Sequence, residues 1–339
     1  MLDHPDRGCV IRWLEMSMGT GITTGSATPV PLADMSGDGV LHRLRRWIGR
    51  RIDPRTGIGA RLWHLRLNGP FPRLRTHRLV TRVLGPQYAR SRRRIEIDIT
   101  YACNLACANC NRSVPQASGG DRITPACLAS YVADWVAAGI RWERIRLLGG
   151  EPTIHPQFTE MLEILRAYRT AHSPATRIEV TSNGFGAKVN AALARLPADV
   201  HINTSSIKDD SGAEQVDFAS FNIAPRDLSD YAHADYTNAC RIASDCGMGL
   251  APSGYYQCAV AGGIDRVLGL SLGRAALPDP GDDMHDQMRA LCGWCGHFKR
   301  DFAAGMPGQL TSQSWIEAYD AFARQRRPLS ARPEPSRPA

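Results

Sequence analysis

The 339-residue sequence lacks any run of about eighteen apolar residues, the length that a membrane-crossing helix needs. Its first residues, MLDHPDRGCVIRWLEMSMG, also lack the order of a secretory signal, in which basic residues precede an apolar stretch. We therefore expect a cytoplasmic protein with no membrane partner. In that compartment, ten cysteines favour reduced, metal-binding thiols over a disulfide framework.

Acidic residues are nearly missing from residues 41–94, which contain 16 Arg and a single Asp, Asp53. The segment carries +15 in a chain whose net charge is +8, so the remainder is mildly acidic. Clustered Arg is typical of a phosphate-binding surface. It is equally typical of an amphipathic arm that packs on a core and keeps its Arg face in water. No RNA-binding motif or aromatic platform accompanies the Arg residues, so we favour the arm, and nucleic acid is the less favoured partner.

From Arg94 the sequence alternates between short apolar strands and helical segments. Ile95, Ile97 and Ile99 alternate with charged residues, which is the two-residue period of a strand. Further strands are predicted at residues 145–148, 178–181 and 200–203, with helices between them, and a fifth around Phe218, Phe221 and Ile223. Such units in succession predict an α/β fold of parallel strands with helical crossovers.

Three cysteines lie on the loop after the first predicted strand. Cys103, Cys107 and Cys110 have the spacing C-x3-C-x2-C. An iron–sulfur cluster is normally held by four cysteines, so three leave one iron free for a small-molecule ligand. The alternative is structural zinc, which needs a fourth Cys or His to close a tetrahedral site. The next cysteine, Cys127, falls on a predicted helix, which favours the cluster.

Two further turns follow the ends of predicted strands, at the edge where βα barrels gather their chemistry. The GGEP turn combines two glycines, which allow a close approach of backbone to ligand, with a carboxylate that can pair with an ammonium group. The SNG turn follows the next strand, and Asn-Gly is also a common structural turn. The candidate cofactor-binding residues on these turns are Gly149, Gly150, Glu151, Ser182 and Asn183.

The cysteine loop and these turns together resemble the signature of the radical S-adenosylmethionine (radical SAM) superfamily. The resemblance implies that the iron left free by Cys103, Cys107 and Cys110 binds the amino and carboxylate groups of SAM. An electron from the [4Fe-4S] cluster then splits the sulfonium to a 5′-deoxyadenosyl radical. It also implies a partial (β/α)6 TIM-type barrel, in which the GGEP turn receives the amino group of SAM and the SNG turn contacts its ribose or carboxylate.

A second group of cysteines lies near the C-terminus, with Cys292 and Cys295 spaced as C-x2-C. The group resembles the twitch extension of radical SAM dehydrogenases, a shortened relative of the SPASM domain. The resemblance implies one auxiliary [4Fe-4S] cluster held by four thiolates, from Cys240, Cys258, Cys292 and Cys295. A four-cysteine zinc ribbon is the alternative, although its cysteines are more often paired as C-x2-C at both ends.

Cys246 is left over by this assignment. It is interpreted first as a small buried side chain, second as a substitute for Cys240 in the auxiliary site, and third as a catalytic hydrogen-atom donor near the substrate.

The predicted organisation is a barrel core with a small Cys-rich C-terminal extension and an Arg-rich N-terminal arm. Its segments are a disordered N-terminus at 1–40, the Arg-rich helical extension at 41–93, the radical SAM core at 94–235, the twitch/SPASM-like domain at 236–302, and a C-terminal helix with a disordered tail at 303–339.

The resemblance implies a dehydrogenase-like oxidoreductase that abstracts hydrogen from a small molecule, a carbohydrate included, or from a peptide. The auxiliary cluster would accept or relay an electron, and a protein of the flavodoxin or ferredoxin type would supply the reducing electron. Two alternatives stand beside it. One is an RNA-modifying radical SAM enzyme that uses the basic segment, and the other is a non-catalytic iron–sulfur or zinc protein.

Overall fold

A computed structural model describes residues 70–203, 221–298 and 311–326. The predicted disordered segment at 1–40, the first part of the Arg-rich extension and the predicted tail lie outside the described residues. The predicted domain boundaries stay predictions. No helix in the described ranges is both long and apolar enough to cross a membrane.

Six strands form one sheet, in the order β4-β3-β2-β1-β5-β6. All neighbouring strands are parallel except β6, which returns antiparallel to β5. The strands are β1 Arg94–Thr100, β2 Arg144–Gly149, β3 Arg177–Thr181, β4 His201–Asn203, β5 Met248–Ala251 and β6 Gly254–Tyr256. The predicted α/β class with parallel strands is confirmed, and the arrangement is consistent with a partial radical SAM barrel.

Helices cross over between the first four strands, as the sequence predicts. The α-helices are α1 Pro70–Thr76, α2 Arg78–Leu84, α3 Pro125–Ala137, α4 Phe158–His172, α5 Ala187–Leu193, α6 Arg241–Asp245, α7 Ala259–Leu268, α8 His285–Leu291 and α9 Gln313–Arg326. Helix α3 begins where its sequence signal lies, because the Thr124 side chain accepts a hydrogen bond from the backbone N–H of Cys127.

Strand β1 separates an apolar face from a charged one. Ile95, Ile97 and Ile99 are fully buried in the core beneath helices α3 and α4. Each such side chain contributes about 1.5–3 kcal/mol relative to exposure. The alternation turns Glu96 and Asp98 toward the opposite face of the sheet, where they are also buried. That second face carries the polar groups described below.

The strand predicted around Phe218, Phe221 and Ile223 is wrong for the described residues. Residues 221–223 form a turn, and Phe218 lies outside the described ranges. Phe221 is buried with its ring 5.4 Å from that of Trp315 on α9. Its apolar side chain is thus covered by a helix rather than by strand neighbours.

The described part of the Arg-rich segment packs on the residues that precede Cys240. Asn238 is fully buried and donates to the backbone oxygen of Arg75 at 2.8 Å and to the hydroxyl of Thr81 at 3.1 Å. Its side-chain oxygen accepts the backbone N–H of Gln87. These contacts are polar, whereas four apolar side chains of the two helices are 58–81% exposed: Leu74, Leu79, Val83 and Leu84. The described residues therefore do not show the apolar packing that the amphipathic-arm interpretation expects.

Candidate active site and two cysteine groups

The first cysteine group lies on the loop that leaves the C-terminal end of β1. Burial is the main reason that the pKa of Cys103 rises to about 11, and charges at Cys110 and Cys107 add to it. Burial likewise raises the pKa of Cys110, again with a contribution from Cys107. The backbone N–H of Cys110 donates to the oxygen of Cys107 at 3.3 Å, and electrostatic coupling weakens with distance, so the three thiols lie near one another. The structure therefore brings together the three residues that the sequence predicts.

The GGEP turn lies directly against this loop. The backbone N–H of Gly150 donates to the oxygen of Thr100, and that of Glu151 donates to the oxygen of Ala102, both at 2.8 Å. A Cβ on Gly149, whose φ is +137°, or on Gly150 would collide with those same backbone oxygens. Glycine is therefore required for the turn to approach the cysteine loop so closely.

Glu151 holds two turns together. Its side chain is fully buried and accepts hydrogen bonds from four donors: the N–H and the hydroxyl of Thr153, the hydroxyl of Ser182, which is shared between both oxygens, and the backbone N–H of Asn183. These bonds use the capacity of a carboxylate, about four lone-pair positions. Direct contact of Glu151 with an ammonium group stays a prediction, whereas the structure gives it a role in joining the GGEP and SNG turns.

Asn183 reaches the first cysteine of the loop. Its side-chain nitrogen lies 3.7 Å from the sulfur of Cys103 and donates at 2.8 Å to the side-chain oxygen of Asn104. Its own oxygen accepts the backbone N–H of Phe185 at 2.8 Å. A contact with SAM stays a prediction. The sequence pattern did not indicate the contact with the sulfur.

A network of buried charges covers the second face of the sheet. Arg112, just after the cysteine loop, lies 3.3 Å from Asp98 and 3.5 Å from Glu96. Arg146 on β2 lies 2.5 Å from Glu96 and 2.8 Å from Glu179 on β3. Strand register explains the order, because Glu96 pairs with Arg146 and Arg146 with Glu179. Alternating charged residues in three predicted strands are the sequence signal for this network, which was not predicted.

Asp98 makes the stability of the fold depend on pH. Burial raises its pKa to about 6, although neighbouring Arg112 lowers it. Because the pKa in the folded protein exceeds the ordinary value, the protonated form stabilises the fold. This contribution is complete below about pH 4 and disappears as the pH rises through about 6.

We expect the unfolding free energy of the wild-type protein to fall by up to about 3 kcal/mol between pH 4 and 7, relative to the Asp98→Asn variant. Urea unfolding of both proteins across this range measures the difference. Parallel pH profiles would contradict the assignment.

The second cysteine group assembles from three separate places in the chain. Cys240 precedes α6, Cys258 precedes α7, and the other two cysteines follow α8. Burial raises the pKa of Cys258 well above its usual value, and charges at Cys240, Cys292 and Cys295 raise it further. Burial also raises the pKa of Cys292, and charges at Cys240 and Cys295 raise it further. The four predicted auxiliary ligands therefore lie together, with the β5–β6 hairpin between the first two.

Within the described ranges, no three His, Cys, Asp or Glu side chains have the spacing to hold a single metal ion. A [4Fe-4S] cluster takes its four thiolates on several iron atoms. Whether each group can hold a cluster therefore depends on how many thiols it has and how close together they lie. The first group has three thiols and the second has four.

Cys246 lies apart from both groups. It bonds to Glu96, near the start of β1, and burial with the charge of Glu96 raises its pKa to about 12. The loop that carries Cys103 leaves the other end of that strand, and each strand residue adds about 3.3 Å. Cys246 is half-buried at this position. Its interpretations as a packed side chain, as an auxiliary ligand and as a hydrogen-atom donor stay predictions.

Side chains connect the two cysteine groups. The side-chain nitrogen of Asn111, next to Cys110, lies 3.4 Å from the Nε2 atom of His297, two residues after Cys295. Arg266 on α7 donates to the backbone oxygen of Arg112 at 3.0 Å. These contacts fix the C-terminal cysteine segment against the first loop.

The match to a family model covers the part of the chain that carries the first site. Residues 97–249 match the model described as Radical SAM superfamily. This segment is therefore similar to the radical SAM superfamily. It runs from β1 into β5 and contains the Cys103 loop and the GGEP and SNG turns. The four-cysteine group lies largely beyond it, since only Cys240 falls within the matched residues.

Curated relatives resemble the same part of the chain. Mycofactocin maturase MftC from Mycobacterium ulcerans (strain Agy99) is 29% identical over 147 residues, which are 42% of this chain and 37% of that protein. GTP 3′,8-cyclase from Synechococcus elongatus is 30% identical over 128 residues, 36% of each chain. The matches thus span little more than a third of the length of these relatives.

One solved structure is also similar, that of BtrN in complex with AdoMet and 2-DOIA. It is 14% identical, with a TM-score of 0.37, and the alignment covers 67% of this chain and 98% of that one. A likeness of this size does not establish a shared activity.

Proposed function

We propose that this protein is an oxidoreductase that cleaves SAM reductively and abstracts hydrogen from a small-molecule or peptide substrate. The observation that carries the proposal is the placement of the GGEP backbone against a loop whose three cysteine thiols share one site. This donor set fits a [4Fe-4S] cluster with one iron open. When bound there, the cluster and SAM together supply the radical that attacks the substrate.

The residues of the chain would bind and orient that group. Cys103, Cys107 and Cys110 would hold the cluster, and Gly149 and Gly150 would admit the amino acid part of SAM beside it. The steric requirement for glycine at both positions supports only the close seating of this turn on the loop that would hold the cluster. Glu151 would keep this turn and the SNG turn in register through its buried hydrogen bonds.

The four-cysteine group would hold an auxiliary [4Fe-4S] cluster that accepts or relays an electron. Its support is the convergence of Cys240, Cys258, Cys292 and Cys295, and the Asn111–His297 contact that links it to the first loop. Radical SAM enzymes act on a substrate and need a reductant. We propose a flavodoxin- or ferredoxin-type donor for that role.

The substrate would lie at the C-terminal edge of the sheet. The buried face between Glu96 and Arg112 is already filled by ion-paired side chains, with Arg112 only 6% exposed. A substrate that approaches the first cysteine loop therefore has to enter from the side of the GGEP and SNG turns.

Anaerobic reconstitution tests the proposal. The protein, with SAM and a reductant, is expected to bind iron and sulfide near eight each per chain, as two [4Fe-4S] clusters require. It should also form 5′-deoxyadenosine, and incubation with a deuterated metabolite extract should place deuterium in that product. Bound zinc without SAM cleavage would contradict the proposal and favour a structural protein.

A further inference from the structure

Gln257 stands beside the four-cysteine group in a fixed position. It follows β6, directly precedes Cys258 and is 1% exposed. Its backbone N–H donates to the side-chain oxygen of Gln287 at 2.9 Å. Gln287 in turn donates to the backbone oxygens of Tyr255 at 3.1 Å and Leu272 at 2.7 Å. Gln257 is therefore fixed by Gln287, whose own side chain is fixed by two backbone oxygens.

The side chain of Gln257 contacts a sulfur. Its Nε2 atom donates to the Sγ atom of Cys292, at 3.8 Å. Its Oε1 atom is buried and has no hydrogen-bond partner. An unpaired buried amide oxygen costs free energy, and an apolar side chain of similar size would avoid that cost. The amide at this position therefore calls for an explanation other than packing.

The same kind of contact occurs at the first cysteine group, where the amide nitrogen of Asn183 lies 3.7 Å from the sulfur of Cys103. Each group thus receives one side-chain amide on one of its sulfurs. A sulfur that ligates iron is negatively polarised and accepts hydrogen bonds, and such bonds are among the factors that set the reduction potential of a cluster.

We propose that Gln257 raises the reduction potential of the group held by Cys240, Cys258, Cys292 and Cys295, through its hydrogen bond to the Cys292 sulfur. The inference rests on the proposed function, because it requires a cluster at that site. Reduction adds negative charge to the cluster and its sulfurs, and a donor N–H stabilises that charge. Gln257 thereby favours acceptance of an electron at this site. It is a positioning and tuning residue and does not touch the substrate.

The test uses the full chain with Cys103, Cys107 and Cys110 replaced by Ala, so that only the four-cysteine site can hold a cluster. In this background, Gln257→Leu removes the amide, and Gln257→Glu keeps the shape but replaces the donor nitrogen with a carboxylate oxygen. Ser253→Ala is the matched control, since the Ser253 hydroxyl lies on the same hairpin and its hydrogen bond is to the hydroxyl of Tyr256.

Midpoint potentials are measured by redox titration followed by electron paramagnetic resonance, together with iron content. Both Gln257 variants are expected to bind iron as the background protein does and to show a lower potential, with the larger shift for Glu. Ser253→Ala should leave the potential unchanged.

An unchanged potential in iron-loaded Gln257 variants would overturn the proposal and leave the proposed function intact. Failure of the background protein to bind a cluster, or binding of zinc instead, would overturn this proposal and the auxiliary cluster with it. SAM cleavage at the first site is tested separately, by 5′-deoxyadenosine formation in the wild-type protein. If Gln257→Leu does not fold, the midpoint potential of the isosteric Gln257→Glu variant decides between these outcomes.

Discussion

Replacing Cys103, Cys107 and Cys110 with Ala is expected to abolish the formation of 5′-deoxyadenosine. The three half-buried cysteines lie on one loop, and removing their thiols leaves no ligands there for a cluster. Iron should fall from about eight to about four per chain, because the four-cysteine site is untouched. Iron analysis and chromatography of the SAM products measure both effects.

The reciprocal variant provides the control. Replacing Cys258 and Cys292 with Ala should also remove about four irons, since a [4Fe-4S] cluster normally needs all four thiolates. This variant should retain SAM cleavage that is not coupled to substrate oxidation. Cleavage of SAM by the first triple variant, at a rate near that of the wild-type protein, would contradict the assignment of the site.

Glu151→Gln is expected to lower SAM cleavage by about 10²-fold, the size of effect produced by small displacements of catalytic groups. Glutamine places an amide nitrogen where the carboxylate accepts hydrogen bonds from Ser182 and the backbone of Asn183. The GGEP and SNG turns then lose the link between them. Since buried donors are left unpaired, the unfolding free energy should also fall by about 1–3 kcal/mol or more.

Thr153→Val is the matched control for that effect. It removes one hydroxyl donor to Glu151 and keeps the carboxylate in place. It should cost about 1 kcal/mol of stability and leave SAM cleavage within a few-fold of wild type. Equal activity losses in the two variants would show that general destabilisation, rather than the link between the turns, is responsible. Steady-state rates and urea unfolding of both variants provide the comparison.

Local sequence signals predicted much of the fold. The alternation at Ile95, Ile97 and Ile99 marked β1, and Thr124 with Pro125 marked the start of α3. These signals depend on side chains within one element, so a single sequence carries them. The spacing of Cys103, Cys107 and Cys110 grouped the first three thiols, and the family resemblance grouped the other four; that either group ligates a cluster stays a prediction.

Features that depend on pairing between distant segments were missed. The position of β5 beside β1 could not be inferred, because a strand of four residues does not specify its neighbour. The contacts of Gln257 and Asn183 with sulfurs arise from tertiary approach and have no spacing signal. The apolar residues around Phe221 predicted a strand, but the Phe221 ring packs against helix α9 instead of lying in a sheet.

The central claim is that the Cys103, Cys107 and Cys110 site holds an iron–sulfur cluster with one iron open to SAM. Electron–nuclear double resonance on the reduced protein with SAM labelled by ¹⁵N at the amino group and ¹⁷O at the carboxylate tests it most directly. Hyperfine coupling from both labels to the cluster is expected, and it should vanish in the triple Ala variant. A reduced cluster at this site that shows no coupling to either label would contradict the account.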